Sequence, residues 1–323
     1  MTAMAWKQLG RTGVKVTEVS FGTASIGNLY REVDDADAAD VLEAAWAGGL
    51  RYFDTAPHYG RGLAEQRLGR FLKGRDAAVV STKVGRVLSP AAAPIAEADG
   101  FVNPAQNDVR YDYSGDGIEE SFEQSCERLD RNHIEILYVH DIGRFTHGDE
   151  NAGHMEDFFG SGYERLVRLK EAGRIGAFGL GVNECEVCLE VIDHGPLDAI
   201  LLAGRLTLLD RSAETDLVPR CREDGSSLVL GGVFNSGILA TGPVEGATYG
   251  YGPASREILD RVASLQSRAE AAGLPLPTAA LHFASRHPAT TSVLLGTAKA
   301  STLERNLKAL RQELPEGAEA ALV

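Results

Sequence analysis

Short apolar runs rich in β-branched and aromatic residues alternate along this chain with longer stretches in which apolar positions recur every three or four residues. The opening WKQLGRTGVKVTEVSFG predicts two short strands around the turn at Gly10 to Gly13, then a buried strand over residues 16–21. In DDADAADVLEAAWAGG, Val41, Leu42, Ala45 and Trp46 recur at helical spacing between an acidic start and the stop at Gly48 and Gly49. The same alternation then repeats: a strand ending at Asp54, a helix over 63–72, a strand over 78–83, a helix over 118–129 and a strand over 134–140. Beyond these come a helix ending at Gly173, a strand over 175–182, a helix over 184–193, a strand over 197–203 and a helix around 214–222. A strand over 227–231, a long helical stretch over 254–287 and a strand over 291–295 complete the series. Eight apolar strands alternating with helices predict the α/β class and a closed parallel (β/α)8 TIM barrel with an N-terminal β-hairpin.

Three connections are longer than such folds need: residues 84–117, 141–162 and 232–253. Each follows a strand, which predicts long βα loops at the C-terminal face of the barrel, where they would cover a pocket. The first carries Phe101, Asn103, Tyr111, Asp112 and Tyr113.

Composition narrows the picture. A chain of 323 residues, 44% hydrophobic, can bury a large core, and one barrel domain over 1–323 is expected because single barrels run to about 250 residues or more. The net charge of -14, without a basic stripe, argues against nucleic acid and against anionic lipid as partners. No apolar run suits a signal peptide or a membrane span, so a cytoplasmic protein is expected. Oligomeric state stays open. Four cysteines are too few for a disulfide scaffold at this size, and the Cys185/Cys188 pair is read as two cysteines on one helical face. No metal site is expected: that pair has no second pair to complete it, and His147 and His154 have no third ligand at suitable spacing.

The chemistry centres on DTAPHYG at residues 54–60, where Asp54 and Tyr59 follow a strand directly. A phenol of pKa near about 10 exchanges protons poorly at neutral pH unless a cation favours the phenolate. Lys83 and His140 end the next two strands, and neighbouring strand ends of a barrel lie close together. Lys83 is therefore expected to lower the pKa of Tyr59, Asp54 to pair with Lys83, and His140 to orient a substrate oxygen. The side on which His58 lies is undetermined.

The motifs LGRTGVKV, RYFDTAPHYG followed by AEQRLG, STKVG, YVHDI, GLGVN and LLGTAKASTLERN resemble the aldo-keto reductase superfamily over essentially the whole chain. That resemblance implies that Asp54, Tyr59, Lys83 and His140 form a catalytic tetrad, with hydride passing between a nicotinamide and a carbonyl or alcohol carbon. It implies that Asn183 binds the nicotinamide carboxamide. Gly231, Phe234, Asn235, Ser236, Gly237 and Leu239 would line the cofactor, Phe234 by stacking and the backbone near Ser236, Gly237 and Leu239 at the pyrophosphate. At the adenine end it implies Gly296, Thr297, Lys299, Arg305 and Asn306. The Lys and Arg that bind a 2′-phosphate in members using NADP are replaced here by Gly296 and Thr302, which prefers NAD over NADP, although Lys299 and Arg305 lie nearby.

RYDYSGDGIEESFEQS, HDIG, RLTLLD and GGVFNSGIL resemble the group of D-threo-aldose (L-fucose) 1-dehydrogenases and pyridoxal 4-dehydrogenases. The expected reaction is oxidation of the anomeric hydroxyl of a sugar such as L-fucose to its lactone. Pyridoxal or general alcohol oxidation is the alternative, and a non-catalytic nucleotide-binding barrel is the rival of another class. Asn103, Tyr111, Asp112 and Arg144 are candidates to bind sugar hydroxyls. Leu206 stands where that group often has a Tyr, which removes one aromatic wall of the cofactor site.

Overall fold

The structure, a computed structural model, describes residues 4–250 and 252–319. Eight parallel strands close into a barrel in sequence order: β1 (Val19–Gly22), β2 (Tyr52–Asp54), β3 (Val79–Val84), β4 (Ile134–His140), β5 (Ile175–Val182), β6 (Ala199–Ala203), β7 (Ser227–Gly231) and β8 (Thr290–Gly296). The hairpin Trp6–Gln8 and Lys15–Thr17 pairs antiparallel and shuts the N-terminal end. Its Leu9 and Val16 are fully buried and join the barrel-interior cluster of Tyr52, Ile136, Tyr138 and Val229, while the Gly10 N–H donates to Ser227 Oγ at 2.8 Å. With that end plugged, only the C-terminal rim is left to receive a ligand.

A second, larger apolar layer lies between strands and helices. The helix Asp35–Ala47 shows how the chain builds it. Asp34 caps the helix by accepting from the Asp37 N–H at 2.7 Å, a contact worth about 1 kcal/mol, and Val41, Leu42 and Ala45 face the strands. Gly115–Leu129 begins three residues before the predicted start because Ser114 accepts from the Gly117 N–H and caps it there.

Several boundaries differ from expectation. The segment 254–287 is two helices, Arg256–Ala271 and Leu276–Arg286, because Gly273 turns left-handed at φ 74° and Pro275 holds extended backbone between them. Residues 15–17 belong to the hairpin, so β1 starts at Val19. The helix Glu186–His194 starts after Cys185, so Cys185 flanks the helix while Cys188 is buried in it; all four cysteines are free. The long connections also carry structure of their own. Arg86–Pro90 pairs with Asn107–Tyr111, and Glu97–Ala98 with Phe101–Val102. The second connection holds Arg144–His147, Asn151–Asp157 and a π-helical turn, Phe158–Gly162. The third holds Ile238–Thr241 and the pair Thr248–Tyr249 with Gly252–Pro253. Among the described residues no helix is long and apolar enough to cross a membrane, and no cluster of His, Cys, Asp and Glu suits a metal ion.

Candidate active site

Three adjacent strands deliver the central groups. Asp54 ends β2, Lys83 is the penultimate residue of β3, and His140 ends β4; Tyr59 stands in the turn after β2. Lys83 Nζ donates to Asp54 Oδ2 at 2.7 Å, to the Thr55 carbonyl at 2.8 Å and to the Tyr59 hydroxyl oxygen at 3.0 Å. These three acceptors use the three protons of an ammonium group. Ser81, beside Asp54 in the strand register, donates its hydroxyl to Asp54 Oδ1 at 2.6 Å. Because the oxygen of Tyr59 accepts from Lys83, its own proton is left to point elsewhere.

Burial sets the electrostatics. Burial first, then the Asp54 and Asp141 carboxylates, push the Tyr59 phenol well above its usual range, with Arg86 opposing them. The net direction is upward although Lys83 donates to the phenol oxygen, because the ammonium is already paired with Asp54 and the phenol meets a nearly neutral ion pair in a poorly solvated place. Within the pair, burial pushes Asp54 up and Lys83 down, while each partner favours the other's charged form. His140 is driven well below its ordinary value by burial, Arg86 and Lys83, and so is neutral. His58, pushed down to about 3 by burial and the same two cations, is neutral too. The His140 ring lies 5.9 Å from that of Tyr59 and 5.8 Å from that of His58. Tyr113 holds the strand end from behind, donating to the His140 carbonyl at 2.7 Å.

These groups open on a cavity of about 320 Å³ whose walls include Leu29, Tyr30, His58, Phe101, Phe145 and Asn183. Past Asn183 and Ala203 it continues into a narrow groove of about 40 Å³ along Gly204, Gly232, Ser236 and Tyr249. Gly232 has φ 59°, and a Cβ there would come within 3.1 Å of the Gly204 nitrogen, so the close approach of the two loops depends on glycine. Larger surface hollows, one of about 600 Å³ beside Lys308 and Arg311, contain none of these groups.

The predicted cofactor residues are placed unevenly. Asn183 lines both cavity and groove; its amide donates to Asp141 Oδ1 at 3.4 Å and its carbonyl accepts from Arg205 Nε at 2.6 Å. Gly231 is buried at the end of β7, and Ser236 is exposed along the groove. Asn235 braces two loops, accepting from Thr207 Oγ1 at 2.5 Å and donating to the Gly204 carbonyl at 3.0 Å. The N–H groups of Gly237 and Leu239 both donate to the Phe234 carbonyl, at 3.0 and 3.1 Å, so in this conformation neither faces a phosphate. Phe234 packs half-buried against the core and is not among the residues that line either space. Gly296 ends β8, and Thr297, Lys299, Arg305 and Asn306 lie in the turn and helix Ala300–Arg311 beyond it, outside both spaces.

None of the four residues suggested for sugar hydroxyls lines the cavity. Asn103 donates to Glu32 at 3.2 Å, Asp112 takes Arg110 and Ser114, Tyr111 packs on His147, and Arg144 is exposed. Sequence reasoning also passed over the aromatic walls Tyr30, Phe145 and Tyr249. Leu206 is buried in the core, and the aromatic side of the groove comes instead from Tyr249, whose hydroxyl donates to Asp210 Oδ2 at 2.8 Å. The one available signal was that these aromatics fall in or beside connections too polar to need them for a core.

The aldo/keto reductase family model matches residues 18–321. The chain is 40% identical to the pyridoxal 4-dehydrogenase of Microbacterium luteolum, over 96% of this chain and 94% of that one. It is 35% identical to the D-threo-aldose 1-dehydrogenase of a Pseudomonas species, over 94% and 92% of the two chains. The structure is similar to the holo form of the aldo-keto reductase AKR11C1 from Bacillus halodurans, with TM-score 0.77 and 26% identity, covering 99% of this chain and 95% of that one.

Proposed function

The chain belongs to the aldo/keto reductase family and is an oxidoreductase, and from that premise we propose that it transfers hydride between a nicotinamide cofactor and the carbon of a small alcohol or aldehyde, with Tyr59 carrying the proton. The observation that supports this most directly is the 3.0 Å hydrogen bond from Lys83 to the Tyr59 oxygen at the cavity wall. It leaves the phenolic proton for a substrate oxygen, and Asp54, held by Ser81, keeps Lys83 in place. The neutral His140 offers an N–H rather than a charge to that oxygen, so it orients without competing for the proton.

A bound nicotinamide supplies or accepts the hydride. The donor set suits it at one end: the Asn183 amide lies where the cavity meets the groove, within reach of a carboxamide. Outward movement of the turn over 234–239 on binding would free the N–H groups of Gly237 and Leu239 for the pyrophosphate. NAD is proposed over NADP because Gly296 and Thr302 offer no cation to a 2′-phosphate. With NAD, Tyr59 acts as the base.

For the substrate we favour a flat pyridoxal-like alcohol or aldehyde over a free aldose. Leu29, Tyr30, Phe101 and Phe145 give the cavity an apolar, aromatic wall, and the four rim residues expected for sugar hydroxyls stand outside it. The test is a panel of pyridoxal, L-fucose, D-arabinose and L-galactose with NAD or NADP, read by absorbance of the reduced cofactor. Turnover of aldoses with none on pyridoxal overturns the substrate reading. Equal efficiency with NADP overturns the cofactor reading.

A further inference from the structure

Asp141 directly follows His140 and adopts left-handed backbone, φ 52°, just past the end of β4. Its carboxylate is shared among three groups. Oδ2 accepts from Arg86 at 2.9 Å and lies 3.4 Å from His140 Nε2, while Oδ1 accepts from the Asn183 amide at 3.4 Å. Arg86 is 3% exposed, and its Nε and Nη1 have no hydrogen-bond partner among the described residues. Asp141 is therefore the one carboxylate that the described structure sets against this buried guanidinium.

His140 needs such a neighbour. Its Nδ1 is buried with no hydrogen-bond partner among the described residues, and its ring carries no charge, so it has one N–H to place. The carboxylate beside Nε2 draws that proton to the nitrogen on the Asp141 side, and Asp141 lines the cavity. We propose that Asp141, held by Arg86, is a positioning residue that sets His140 as the Nε2–H tautomer and orders the Asn183 amide. One carboxylate thereby ties the group that orients a substrate oxygen to the group that meets the cofactor. The reading of His140 and Asn183 on which this rests is the one proposed above; the tautomer itself does not depend on it.

Removing Asp141 alone strands a buried cation, which by itself threatens folding. The informative variant is Arg86→Met/Asp141→Gly, which removes both charges together and puts at 141 a residue that accepts the left-handed backbone. Its first readout is the 15N NMR shift pattern of His140 in the ligand-free protein. Wild type is expected to show protonated Nε2, and the double variant a mixture of tautomers. The second readout is binding and turnover: the variant is expected to keep wild-type thermal stability, to bind NAD about tenfold more weakly, and to lose about a hundredfold in kcat at saturating cofactor, as a misplacement of orienting groups by about 1 Å does. Protonated Nδ1 in wild type, or a double variant with unchanged tautomer and unchanged kcat, overturns the proposal. If wild type reduces no nicotinamide with any substrate, the functional reading fails, and the NMR result still decides the role of Asp141.

Discussion

Lys83 reaches Asp54 at 2.7 Å and the Tyr59 oxygen at 3.0 Å with the same ammonium nitrogen. The shorter contact neutralises the charge and the longer one directs the phenol. Tyr59 is thus aimed as a proton carrier without being made acidic in the ligand-free protein.

Replacing Tyr59 by Phe removes the carrier and keeps the ring. Turnover is expected to fall by about 10²- to 10⁴-fold, with the NAD dissociation constant within about twofold of wild type. Because the phenol titrates well above its ordinary value, alcohol oxidation, which needs the phenolate, should rise steadily with pH through the alkaline range. Aldehyde reduction, which needs the phenol, should stay flat over the same range. Initial rates in both directions test this; an oxidation rate already level at neutral pH would place the titrating group elsewhere.

Lys83→Met leaves the fully buried Asp54 without its ion-pair partner. A loss of about 3–5 kcal/mol of stability is expected in urea unfolding, as for other buried pairs broken on one side. Lys83→Met/Asp54→Asn should recover most of that loss and none of the turnover. Recovery of both would mean that the pair matters only for folding.

His58 is held neutral, with its pKa down at about 3 against an ordinary 6.5. In the unfolded chain it takes a proton below about 6.5, so protonation favours unfolding as the pH falls from there toward 3. The stability is complete above that window and lost within it. His147, at about 4, and His140 act in the same direction. The expected result is a Tm that declines below pH 6.5, with a shallower decline in His58→Gln; parallel curves for the two proteins would remove His58 from the account.

Tyr30 is 71% exposed yet lines the cavity, so it is free to meet a ligand without carrying the core. Tyr30→Ala is expected to raise KM for pyridoxal several-fold, with little change in Tm and in kcat. A KM increase for aldoses alone would instead favour a sugar resting on that ring.

Much of the barrel was readable because burying both faces of a strand demands an apolar run, and Tyr52–Phe53 before Asp54 and Ile136–Val139 before His140 are such runs. The helix break at Gly273 and Pro275 is missed when 254–287 is read as one helical stretch, although GLPLP carries its signal in a glycine and two prolines that interrupt the period. The paired strands inside residues 84–117 were not readable, since Arg86–Pro90 and Asn107–Tyr111 are half exposed and carry no strong alternation.

By itself the sequence determined the order of strands and helices, the three polar groups at successive strand ends and Tyr59 in the turn after the first of them, because local periodicity and strand termination are written in neighbouring residues. Tertiary structure alone decided that Phe234 faces the core, that Tyr30, Phe145 and Tyr249 wall the cleft, and that Asp141 meets Arg86 from 55 residues away. It also decided the direction of the Tyr59 pKa. Burial and the distance to a distant charge are properties of the closed barrel, and no stretch of chain holds them until the barrel has formed.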